Sequence, residues 1–308
     1  MVRTSSSVVG VDFGAPRRAR DQRRKIIAIE AQPTDWRRYR IDASGCNARL
    51  LDNHPPGWAA AELLAELLDR PRRVVGFDFP FCVPDVLLRD EQFAAAAGYT
   101  RGAFLGWRTF NAFVAERLPL TDPLDFGPFD PWRSRRHRDR LWIKRATDHA
   151  TGAQPPLKDR FQATFQMTLL GNALLARLWE SHHYRVLPFA GGRGSGEVIE
   201  VYPGATLRHM GLRAYKSQPR EAIRLAIAAC AAAGIQLDVD LRLLALCSRY
   251  RSSTGPTPDH DAADAFVALC TAILHAEGAC HAATDGHRHR LANDGAIWVP
   301  SFSVSQRA

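Results

Sequence analysis

Apolar and polar positions along this chain alternate with two periods, one suited to strands and one to helices. Val8 to Gly14 (Val-Val-Gly-Val-Asp-Phe-Gly) is apolar except for one acid ahead of a turn, the composition of a buried strand. Lys25 to Ala31 reads as a second strand and Trp36 to Ile41 as a third, with links short enough for an antiparallel meander. Gly57 to Leu68 has helical spacing at Trp58, Leu63, Leu64, Leu67 and Leu68, and Pro71 closes it. Val74 to Pro80 repeats the opening phrase, and a strand reached across a helix is expected to pair parallel with an earlier one.

From Phe81 to Gly196 no strand period is convincing. Helices are expected at about 84–97, 102–118 and 158–181, with loop text at 119–131 and a basic run at 132–145. The Gly-rich turn Gly191–Gly196 leads into a third acid-bearing strand, Val198 to Pro203. Helices follow at 219–233 and 239–250, then a linker at 252–258, a last major helix at 259–277 and an edge strand at Ala296–Pro300. The expectation is a single α/β domain over residues 1–308. Its mixed sheet joins a three-strand antiparallel meander to parallel strands, with flanking helices and a large all-helical insertion at about 81–196.

Composition narrows the class. With 46% hydrophobic and 24% charged residues among 308, the chain can bury a full core. No apolar run reaches the roughly 18 residues of a membrane span, and Met1 to Ser7 is too short and polar for a secretory signal. A cytoplasmic protein without a membrane partner is therefore expected. Six scattered cysteines with no Cys-x-x-Cys pair read as structural thiols rather than a zinc site or disulfide framework. The net charge of +9 favours a polyanionic partner such as nucleic acid. That signal is mild, because the basic residues are nearly all Arg in an Ala-rich chain and the only lysines are Lys25, Lys144, Lys158 and Lys216.

The candidate chemistry lies in the acids. Asp12, Asp78 and Glu200 each sit alone in an apolar strand, and Asp261 and Asp264 are three apart, on one face of the last helix. Taken singly, each has a plain structural reading: a strand-end turn former, a cap, an edge acid facing solvent, or a charge favouring the helix dipole. Together they are a repeated coincidence. Converging carboxylates repel, raise one another's pKa, and are stable when a divalent cation neutralises them. Hard oxygen donors suit Mg²⁺ or Mn²⁺, and such ions support phosphodiester hydrolysis.

The motifs Gly10-Val11-Asp12, Gly76-Phe77-Asp78-Phe79-Pro80, Glu200-Val201-Tyr202-Pro203 and Asp259-His260-Asp261-Ala262-Ala263-Asp264-Ala265 resemble the bacterial family catalogued as domain of unknown function 429. That family is described as predicted nucleases of the ribonuclease H-like fold, and the resemblance covers about Val8 to Pro300. It implies Asp12 as a metal-bridging acid, Asp78 and Asp264 as further ligands, and Glu200 and Asp261 as members of the site. The long helical insertion departs from a plain ribonuclease H. The function expected is a divalent-metal-dependent nuclease acting on DNA or RNA.

Two other classes compete. Actin-like kinases open with a similar Gly-x-Asp-x-Gly strand, but they need two duplicated halves, and the flanks of Asp78 show no duplication. A nucleic-acid-binding module without turnover is the second. Among the secondary signals, Trp132 to Arg145 mixes cations with two Trp, as a nucleic-acid contact does, although a solvated loop is the plainer reading. Arg145 and Lys158 are candidate phosphate contacts, set against a salt bridge between Arg145 or Lys158 and Asp148. Gly191–Gly196 precedes a strand rather than a helix, which favours a flexible hairpin over a phosphate cradle.

Overall fold

The apolar runs assemble into one mixed sheet in the computed structural model, which describes residues 7–52, 55–159, 164–213, 215–248, 260–284 and 291–301. The strands are β1 (Val8–Phe13), β2 (Ile26–Asp35), β3 (Arg38–Ile41), β4 (Val74–Asp78), β5 (Tyr184–Val186), β6 (Gly196–Val201), β7 (Gln236–Val239), β8 (Cys280–Ala282) and β9 (Ile297–Pro300). Their order is β7-β3-β2-β1-β4-β6-β9-β8, with β5 also paired to β6. β1, β2 and β3 form the expected antiparallel meander, and β4 and β6 continue it in parallel. Helices of ten or more described residues are α1 (Ala60–Asp69), α2 (Trp107–Arg117), α3 (Thr164–Glu180), α4 (Pro219–Ala232) and α5 (Asp261–Ala276).

Side chains alternate across each strand, so the two faces take different partners. Val9, Val11, Phe13, Val75 and Phe77 join a core shared with α1, α2 and α3. Val8, Val74, Ile199 and Val201 join a second core beneath α4 and α5. On that second face the chain places Gly10 and Gly76, and α5 descends onto them. A Cβ on Gly10 would overlap the backbone nitrogen of Leu269 and stand 2.6 Å from the Ala265 carbonyl oxygen. One on Gly76 would stand 3.1 Å from the Ala272 Cβ. The repeated Val-Val-Gly phrase is thus a landing for the Ala-rich helix. Its following acid lies two residues on, facing the same way.

Several local expectations need correction, each because a short element is decided by its neighbours. The insertion is not all-helical, since β5 pairs parallel to β6 within it. This pairing also makes Gly191–Gly196 part of a parallel connection, not a hairpin. The helix expected at 84–97 divides into Asp85–Leu88 and Glu91–Ala96, because the Asp90 carboxylate accepts the Phe93 N–H at 3.0 Å and starts a new helix. The next helix begins at Trp107 rather than 102. The 119–131 loop and the basic run hold 3₁₀ turns at Gly127–Arg133 and Arg135–Trp142. Trp132 is fully buried, stacked on Phe93 at 4.4 Å, with its indole N–H donating to the Phe93 carbonyl at 2.6 Å.

Helices at Cys46–Asp52 and Pro203–His209 were not legible in the spacing. The segment expected as a helix from 239 opens with β7 and becomes helical only at Leu241–Cys247, behind an Asp240 cap. β9 is an inner strand, since β8 covers its far side. The 252–258 linker and Asp259 lie outside the described residues. All six cysteines are free thiols, five of them buried, as expected. No described helix is long and apolar enough to cross a membrane.

Candidate active site

β1 and β4 run parallel with Asp12 opposite Asp78, so the two carboxylates leave the sheet side by side on the α5 face. α5 begins at Asp261, and its first turn carries Asp264 to the same place. Asp12, Asp78, Glu200, Asp261 and Asp264 all line one cleft of about 900 Å³. All five acids singled out in sequence, spread over some 250 positions, are therefore brought to one cleft, the four aspartates from the α5 face.

Burial pushes the Asp12 carboxyl well above the usual carboxylate range, and Asp261, Asp264 and Asp78 push it further. Asp264 is raised in the same way by burial, Asp78 and Asp261. Asp78 is pushed up to about 7 by burial, Glu200 and Asp261, against the pull of Lys216. Lys216 opposes the rise at all three carboxylates. None of those three carboxylates accepts a hydrogen bond from a described residue. Asp261 differs, for its carboxylate takes the Lys25 ammonium at 2.8 Å.

Lys25, Arg208, Arg213 and Lys216 line the same cleft with Tyr202 and Tyr215. None of these residues carries a site role legible in the sequence. The one available signal was scarcity: Lys25 and Lys216 are two of only four lysines. Burial and the acids Asp264 and Asp78 hold the buried Tyr215 phenol far above its ordinary range. Arg208 also donates to the Thr151 carbonyl at 2.5 Å and lies over the Tyr202 ring at 5.1 Å.

Glu200 is out of phase with the other strand acids. Its register partner on β4 is Phe77, so it leaves the sheet on the insertion side rather than with Asp78. There its carboxylate accepts two hydrogen bonds from Arg145, at 2.7 and 2.5 Å, and one from the Phe81 backbone N–H at 3.0 Å. Arg145 completes its own set with Asp148, at 3.0 and 2.7 Å, and with the Asp294 carbonyl at 3.3 Å. A guanidinium has five N–H donors, and all five are used within the fold. Arg145 is buried and has no donor left for a phosphate, so the salt-bridge reading replaces substrate contact. Lys158 lies outside the lining of the cleft. Its ammonium donates to cleft-lining Gln154 at 2.7 Å rather than to Asp148.

The donor set fits a hard divalent cation in its chemistry. The three carboxylates, which accept no hydrogen bond from a described residue, repel one another in a partly buried place, and a cation relieves all three at once. Among the described residues no set of three or more His, Cys, Asp or Glu side chains already stands at metal-gripping distance. Ligation therefore requires the Asp side chains to turn toward each other. The Gly191–Gly196 turn does not line the cleft, which leaves no phosphate-cradle role for it there.

A family model described as "Protein of unknown function (DUF429)" matches residues 10–288. No curated protein and no solved structure matches the chain.

Proposed function

The chain belongs to the DUF429 family, and from its cleft we propose a divalent-metal-dependent nuclease of ribonuclease H-like fold that hydrolyses phosphodiester bonds in DNA or RNA. The observation that carries this reading is the meeting of Asp12, Asp78 and Asp264, without a hydrogen-bond donor among the described residues and mutually destabilised, in a cleft also lined by Lys25, Arg208, Arg213 and Lys216. The fold assignment is supported by the sheet order, an antiparallel β3-β2-β1 followed by parallel β4 and β6.

Asp12, Asp78 and Asp264 would hold Mg²⁺ or Mn²⁺, with Asp261 beside them. A bound ion of this kind supplies Lewis-acid polarisation of a phosphate oxygen and a lowered pKa for water. The chain's own residues have separable tasks. Lys216 and Arg213 attract and orient the phosphodiester, and Lys25 fixes Asp261. Arg145 pairs with Glu200 and offsets part of the negative charge that Glu200 adds beside Asp78.

The test is cleavage of labelled single- and double-stranded DNA and RNA with Mg²⁺ or Mn²⁺, beside the Asp12→Asn variant. Turnover by wild type and none by the variant supports the proposal. A second reading, nucleic-acid binding without turnover, is favoured by the open spacing of the carboxylates. It prevails if binding occurs and neither metal gives cleavage.

A further inference from the structure

The basic run is divided by burial. Trp132 is sealed in the core, whereas Trp142, ten residues on, is 43% exposed. The Lys158 ammonium lies 5.4 Å from the Trp142 ring centroid. The same ammonium donates to Gln154, which lines the acidic cleft. Exposed Trp142 is thus joined through Lys158 to the cleft wall. Of the Arg residues on the 3₁₀ turn leading to it, Arg140 pairs with Asp90 at 2.6 Å. Arg135, Arg136 and Arg138 are exposed and meet no carboxylate within ion-pair distance among the described residues.

We propose that Trp142, Lys158 and these arginines form a track on which an unpaired nucleotide strand lies as it enters the cleft, so that the substrate is single-stranded nucleic acid. This rests on the nuclease reading of the cleft and narrows its substrate. The chemistry has two parts. Arginines without acidic partners match the phosphate backbone in charge. An exposed indole offers a stacking face that only a base free of its partner can take.

The cleft adds an independent argument. At about 900 Å³ it is the size of a small-ligand pocket, and its carboxylates are partly or fully buried. A scissile phosphate has to descend to them. A flexible strand bends readily to do so, whereas duplex DNA, stiff over about 150 base pairs, bends only at an energetic cost.

The test measures binding by fluorescence anisotropy, with labelled single strands and the matching duplexes, using wild-type protein in EDTA. The single strand is expected to bind more tightly. Trp142→Ala should weaken it by between about fivefold and about a hundredfold, the span expected for one lost stacked base. Trp142→Phe should restore most of the affinity, and Lys158→Gln should lower the salt dependence by about one counterion. Equal binding of duplex and single strand overturns the inference, as does Trp142→Ala binding like wild type with an unchanged melting temperature. Cleavage of labelled single-stranded and duplex DNA and RNA by wild type with Mg²⁺ or Mn²⁺ is measured separately. Its failure sinks the nuclease reading and leaves the binding result to stand or fall alone.

Discussion

Asp12 and Asp78 are register partners on neighbouring parallel strands, each two residues beyond a glycine on which α5 rests. Strands lie about 4.8 Å apart, so the backbones that carry the two carboxylates cannot separate without breaking the sheet. The helix that lands on those glycines delivers Asp264 with its first turn. The packing that permits close approach of helix and sheet is the packing that gathers the charge.

Asp12→Asn should abolish cleavage, with a loss of at least about a hundredfold, on the order of 2.7 kcal/mol of barrier. The fold should survive, because the substitution is nearly isosteric and removes repulsion. Cleavage rate and melting temperature check both halves. Undiminished turnover in this variant would defeat the proposed mechanism.

Stability without metal should fall between pH 5 and pH 8. Asp78 has its folded pKa raised to about 7, above an unfolded value of about 3.9. The native state therefore holds this proton more tightly. The resulting stabilisation is full below the unfolded value and is lost as pH rises through about 7. Asp12 and Asp264 act in the same direction. Thermal melts in EDTA should show the decline, and Asp78→Asn should flatten it.

Mn²⁺ should raise the melting temperature, because the carboxylates converge only in the folded chain. An ion at a hundred times its dissociation constant adds about 2.7 kcal/mol. The gain should be larger at pH 8 than at pH 5, where protons compete for the same oxygens. A melting temperature indifferent to millimolar Mn²⁺ at pH 8 would count against a metal site.

Arg145→Met should cost about 3–5 kcal/mol, the range for breaking a buried ion pair. It leaves Asp148 and Glu200 buried without their cation. Adding Glu200→Gln should recover part of that loss by removing one uncompensated charge. Denaturant midpoints measure the difference, and a stable single variant would show that the network is dispensable.

Gly10→Ala should prevent stable folding or cost at least about 3 kcal/mol, at the upper end for overpacking. The added methyl would meet α5 backbone rather than a flexible side chain. Soluble yield and melting temperature read the outcome.

What could be read locally was read from residues whose neighbours in sequence are also their neighbours in effect. The apolar runs marked β1, β2 and β4, and the apolar spacing marked α1, α4 and α5. The phrase Val-Val-Gly-x-Asp located two of the acids. β5, β7 and β8 are three or four residues long, too short for alternation to stand out, and they exist because a partner strand accepts their hydrogen bonds. Trp132 and Trp142 share one basic run, yet the fold buries the first and exposes the second.

By itself, then, the sequence determined which segments are strands and helices wherever the apolar pattern is long, and which acids interrupt them. Only the tertiary structure decided which acids meet. Register sent Asp78 to the α5 face and Glu200, paired to Phe77, to the opposite one, where Arg145 occupies it. It also brought Lys25 and Lys216 to the cleft. Strand phase and helix placement depend on contacts between segments far apart in the chain, and a residue's own neighbours carry no record of them.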